Sequence, residues 1–236
     1  MANTPVIFSV LSAGAARPLL EDAAPAIAAR QGVELTLDFA PVGVVLEWLR
    51  EGRPADLVVL SRKAMETTWP GAVDLPCKPL SLGETSTVFL HRAGDPVGPL
   101  DTKERLRAAL LASPLLLMPD LKRSTGGRHI AQVFARLGID EAIAPRMRHI
   151  AAGGLAGAQA LAEQDLPGAL SCAQEVEVAH MASVVSSGMP EEFALRTEYC
   201  IAATTAAAET IAQALAEASR ACVGGFSHPP SGEPLP

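Results

Sequence analysis

Short apolar runs that alternate with amphipathic stretches leave few folds open to the first 61 residues. The run "PVIFSVL" at 5–11 leads into the small residues "SAGA", which reads as a buried strand entering a tight turn. Residues 17–30 then carry apolar positions at helical spacing, with Pro18 in the first turn and Gly32 just past the end. "VELTLDFA" at 33–40 alternates as a strand does. "GVVLEWLREG" at 43–52 makes an amphipathic helix stopped by Gly52, and "ADLVVLS" at 55–61 is a third buried strand. Strand, helix, strand, helix, strand implies a largely parallel sheet, and such a sheet needs helices on both faces. The expected class is α/β.

The pattern repeats downstream. "ETSTVFLHR" at 84–92 reads as a strand leaving the first unit, and 93–110 turns through Gly and Pro into a capped helix. "PLLLMPD" at 114–120 is another buried strand. The polar, glycine-bearing "LKRSTGGRHIAQVFARLGI" at 121–139 opens from a loop into an amphipathic helix ending at Gly138. Further strands are expected in 166–176 and 197–205, and a last helix from about Ala206 to Cys222. The tail after Gly224 is rich in Pro, Gly and Ser and is assigned no role.

Composition narrows the partners. Hydrophobic residues make up 49% of the 236 and charged ones 19%, which suits a packed core, and a net charge of −7 argues against a phosphate backbone as partner. An anion must therefore be captured locally, by backbone amides at helix starts and a few placed cations. Cys77, Cys172, Cys200 and Cys222 stand far apart, with no zinc or dithiol spacing, so neither a metal nor another cofactor is expected. No stretch approaches the ~20 apolar residues of a membrane span. The start of the chain lacks the basic residues of a secretory leader, so the expected location is the cytoplasm, or the periplasm if a leader has been removed.

Three strand-to-helix turns carry small or hydroxyl residues: Ser12-Ala13-Gly14, Ser61-Arg62-Lys63 and Ser124-Thr125-Gly126-Gly127. In a parallel sheet such turns lie at the carboxyl ends of strands, where each helix start offers free N–H groups. Together they are expected to form an oxyanion cradle. Lys122, Arg123 and Arg128 crowd the third turn, where positive charge adds to the positive end of the helix dipole unless an anion balances it. His129 is the candidate acid or base. Cys172 and Gln174 follow a predicted strand and are candidates for facing a cleft. Each of these residues also has a plainer use, as a helix cap, a solvated cation or a buried thiol.

"LSAGAARPLLEDAAPAIAARQGVELTLDFAPVG", "LREGRPADLVVLS", "STGGRHIAQVFARLGI" and "GGLAGAQALAEQD" follow one another in an order that resembles the molybdate-binding-protein-like family of type II solute-binding proteins, over about residues 6–220. The resemblance implies two Rossmann-like lobes with mostly parallel sheets, joined by two crossover strands near 84–92 and 193–202. Lobe 1 would comprise 1–84 plus 200–236 and lobe 2 would comprise 85–199. A small oxyanion or carboxylate would be clamped between them. By the same resemblance Ser12, Ala13, Ser61, Thr125 and Gly126 fall on anion-binding turns, and His129 and Tyr199 on recurrent positions. Where family members often place Ser or Thr in the second strand-to-helix turn, this chain has "APVG" at Ala40–Gly43, one hydroxyl donor fewer. A permease is the implied partner if the chain is exported. Some relatives are isomerases of small unsaturated polycarboxylates, such as aconitate isomerase. That resemblance implies, as the alternative, an allylic proton shift with Lys63, Arg123 and Arg128 holding carboxylates and His129, Cys172 or Tyr199 as base.

Overall fold

The computed structural model describes residues 5–223, with side chains as far as Ser219; the tail after Gly224 lies outside the described residues. The first apolar run forms β1 (Val6–Ala13), buried along its second half. The single helix expected over 17–30 is instead two, α1 (Arg17–Glu21) and α2 (Ala24–Gln31). Pro25 stands in the first turn of α2 and has no N–H to continue α1, so the chain restarts its helix there. Gly32, at φ 66°, closes α2 in a left-handed conformation.

β2 (Val33–Ala40) alternates between exposed and half-buried residues, as the pattern predicts for an edge strand. α3 (Val42–Arg50) returns to β3 (Leu57–Ser61), buried throughout, and Ser61 caps α4 (Arg62–Thr67) by accepting from the Ala64 amide. β4 (Leu80–Arg92) begins four residues before the expected strand, because a register shift between Ser81 and Gly83 keeps it paired.

α5 (Lys103–Ala112) leads to β5 (Leu116–Pro119). After it come α6 (Thr125–Leu137), α7 (Asp140–Ile143) and β6 (Met147–Ile150). The chain continues through α8 (Gly154–Ala162), β7 (Leu170–Gln174), α9 (Glu175–Val178) and β8 (Val184–Ser187), and ends in β9 (Arg196–Ala203) and α10 (Glu209–Val223).

The strands run in the order β2-β1-β3-β9-β4-β7-β5-β6, with β8 also against β4. β1 is parallel to β2 and β3, and β5 to β6 and β7, whereas every antiparallel pairing among the described residues involves β4 or β9. These are the two crossover strands. β4 pairs with β9 as far as Ser86 and from Thr87 onward pairs with β7, so it passes from one half of the molecule to the other at that step. The apolar interior divides in the same place. One buried cluster draws on residues between Phe8 and Leu82 together with Tyr199–Ala216, and two others draw on residues between Val88 and Phe193. Among the described residues no helix is long and apolar enough to cross a membrane.

Candidate functional site

A crevice of about 760 Å³ lies between the two halves, where the carboxyl ends of parallel strands meet. β1 delivers Ala13 and Gly14 to it, β2 delivers Ala40, and β5 ends at Pro119 just before the α6 turn. β7 delivers Cys172, Ala173 and Gln174, and the start of α8 forms the facing wall from Gly153 to Ala156.

The polar centre is the start of α6. Ser124 accepts from the Gly127 amide at 2.8 Å and donates to the Asp120 carbonyl at 3.0 Å, which holds the turn shut. Asp120 accepts from the amides of Lys122 and Arg123, and those bonds keep its carboxyl below the usual range. The amides of Thr125 and Gly126, the first two of the helix, have no carbonyl to bond within it. The Thr125 hydroxyl is buried without a partner. Beside them lies Gln174, 4% exposed, whose carboxamide bonds the Thr87 hydroxyl at 2.9 Å and leaves its Oε1 without a partner. A carboxamide can be turned over, and a hydroxyl both donates and accepts. Either way one polar atom of Gln174 bonds Thr87 and the other is left beside the cavity.

Glu177 supplies the negative charge. Its Oε2 accepts from the Gln174 amide at 2.9 Å and its Oε1 from the Leu155 amide at 3.3 Å, so one carboxylate serves the starts of both α9 and α8. Burial raises its pKa, and those same amide bonds oppose the rise. Gly154 is required beside it, since a Cβ there would stand 2.6 Å from Glu177 Oε2 and 2.7 Å from Ala173 Cα.

The mouth of the crevice is bridged. The Gly43 amide of α3 donates to the Arg123 carbonyl at 2.9 Å, and the Arg123 guanidinium pairs with Glu47 on the same helix. A Cβ at residue 43 would lie 2.8 Å from that carbonyl oxygen. The "APVG" turn thus makes a close approach between the halves.

Of the residues singled out from the sequence, Ala13, Gly14, Ser124, Thr125, Gly126, Cys172, Gln174 and Tyr199 line the crevice. The others do not. Ser12 is fully buried and donates to the carbonyl of Ala13, and Ser61 is spent capping α4. The expected convergence of three turns is therefore a convergence of two. Beside Ser61, Arg62 makes a two-pronged pair with Glu198 on β9, which holds that carboxyl down at about 2. Lys63 is exposed; Arg128 is exposed and donates to the Lys122 carbonyl; Arg123 serves the bridge at the mouth. Position near the turn was legible in the sequence, but the direction of each long side chain was not.

The candidate bases fare differently from one another. His129 Nε2–H donates to the Phe193 carbonyl at 2.6 Å and stays out of the crevice. Cys172 and Tyr199 are each 1% exposed, and burial, with the nearby Glu177 charge adding to it, pushes the thiol and the phenol well above their ordinary values. Both hold their protons near neutral pH. The residues that sequence reasoning missed are Thr87, Glu177 and the wall formed by Arg17, Phe39, Trp48 and Leu155. Glu177 had a faint signal, standing three residues after Gln174 in the spacing of a capping box.

The sulfate-binding protein SubI from Mycobacterium tuberculosis superposes with a TM-score of 0.66 at 17% identity, covering 91% of this chain and 81% of that one. The periplasmic molybdate-binding protein of Azotobacter vinelandii gives 0.66 at 15%, covering 90% and 92%. The reduced OxyR regulatory domain from Pseudomonas aeruginosa gives 0.61 at 14%, covering 95% and 98%. These likenesses show the type II periplasmic-binding-protein fold. A comparison with curated protein sequences finds no match. The family described as bacterial extracellular solute-binding protein matches residues 8–218, and the chain belongs to that family.

Proposed function

We propose that this protein binds one small anion in the crevice, at the start of α6. The amides of Thr125 and Gly126, the Thr125 hydroxyl and the Gln174 carboxamide take the negative group, and the halves turn about β4 and β9 to admit it. The observation that carries the proposal is the pair of buried polar atoms, on Thr125 and Gln174, left without partners beside an open helix start. Buried polar groups are nearly always satisfied, and an anion seated at this helix start would satisfy both. Membership of a solute-binding family and the sulfate- and molybdate-binding neighbours support the same reading. A proton shift has less behind it, because His129 is tied to Phe193 outside the crevice while Cys172 and Tyr199 keep their protons.

Calorimetry of the full chain against sulfate, molybdate, phosphate, acetate and benzoate tests the proposal. Saturable one-to-one binding of at least one is expected. Gln174→Leu should weaken it by about tenfold or more, from ~1.5–3 kcal/mol for a hydrogen bond to a charged group. Silence across the panel contradicts the proposal, as does binding that Gln174→Leu leaves unchanged.

A further inference from the structure

We infer that the anion is an organic monocarboxylate with an uncharged, largely apolar body, in preference to a bare tetrahedral oxyanion. The inference rests on the anion-binding reading and narrows it.

Size argues first. A four-oxygen ion has the bulk of a few water molecules, at roughly 30 Å³ each. It would leave most of a crevice of about 760 Å³ unfilled, whereas that volume suits a small organic ligand.

The accounting of helix starts argues second. Besides the short uncapped turn after β1 at Ala13–Ala15, four helix starts face the crevice or its rim. Glu177 already serves α8 and α9 through the Leu155 and Gln174 amides, and the Arg123 carbonyl takes the Gly43 amide of α3. The α6 start, with Thr125 and Gly126, stays open, and the unpartnered atoms of Thr125 and Gln174 sit beside it. These orphaned side-chain atoms thus gather at a single helix start, which makes one seat for an anionic group.

Charge argues third. Glu177 and Glu21 line the crevice, and the facing cation, Arg17, is itself paired to Glu21 at 2.6 Å. A second negative charge on the ligand would find two acidic side chains in the wall and Arg17 as the one lining cation among the described residues, already paired to Glu21. Much of the remaining wall is apolar. Phe39, Val42, Trp48 and Leu155 line it, and Arg17 lies over the Phe39 ring at 4.1 Å, extending a flat surface. A carboxylate seated on Thr125 and Gly126 would lay its body against these side chains.

The test is calorimetry on the full chain with acetate, hexanoate, benzoate and succinate beside sulfate and molybdate. Hexanoate or benzoate should bind at least tenfold tighter than acetate, and tighter than sulfate, molybdate and succinate. Leu155→Asp, which sets a charge on the apolar wall, should weaken the best monocarboxylate at least tenfold. Trp48→Ala should weaken it at least threefold, with a thermal melt verifying that each variant is folded. If sulfate, molybdate or succinate binds tightest, or acetate matches hexanoate and benzoate, the inference is overturned while anion binding stands. If nothing in the panel binds, both fall.

Discussion

The Thr125 hydroxyl lies buried with no partner, and folding alone gives no reason to keep it there. A polar group stranded in this way costs about 1–3 kcal/mol of stability. Thr125→Val keeps the shape and removes the stranded oxygen. Its melting temperature should equal or exceed that of the parent protein, while affinity for the best anion of the panel drops about tenfold; a loss of stability with affinity intact would mean that the hydroxyl serves the fold. Glu177 makes the opposite trade. Its folded pKa is raised by burial above the ordinary 4.5, so the native state holds a proton more tightly than the unfolded chain and loses stability as pH climbs through that raised value. A bound anion adds negative potential and raises it again. Binding should therefore take up protons, seen as a calorimetric enthalpy that varies with the ionisation heat of the buffer, and affinity should decline as pH rises through that raised value. Glu177→Ala should abolish both effects. At this scale Thr125, Gly126 and Gln174 were legible because a turn at a strand's end fixes where its residues sit. Arg123, Arg128 and His129 were not, because a long side chain beside a turn can point away from it, and here each bonds a backbone carbonyl or a carboxylate outside the crevice.

Among the elements, α3 carries a bridge between the two halves. The backbone half of it depends on Gly43 having no side chain, since any Cβ meets the Arg123 carbonyl at 2.8 Å. Gly43→Val should push the halves apart, raise the radius of gyration measured by solution X-ray scattering, and weaken anion binding. If the closed form falls to about a tenth of the population, apparent affinity falls about tenfold. Glu47→Gln should do far less, because the Arg123 and Glu47 side chains are nearly half exposed and such pairs contribute about 0.2–1 kcal/mol. A Gly43→Val protein with unchanged scattering and unchanged affinity would show that the bridge is incidental. Element boundaries were legible where a cap or a long apolar run marked them, as at Ser61, Ser124 and Gly138. They were not where tertiary pairing decides. β6 and β8 are four residues each, and "MRHI" and "VVSS" take extended form through their partners β5 and β4. Pro25 was visible, yet helical spacing on both sides of it masked the break.

At the scale of the molecule, the alternation of strand and helix was enough to predict an α/β chain, since parallel strands need crossover helices and bury both faces. The site between the halves was less legible. It depends on β4 switching partners from β9 to β7 at Ser86–Thr87, a pairing between segments more than eighty residues apart that no local pattern encodes. That switch places Thr87 against Gln174 and the Thr125–Gly126 turn beside both. The most direct measurement of the central claim is an amide chemical-shift titration of ¹⁵N-labelled protein with whichever anion binds tightest by calorimetry. The largest saturable shifts should fall on Thr125, Gly126 and the Gln174 side-chain amide. Shifts that saturate elsewhere while these three stay in place would contradict it.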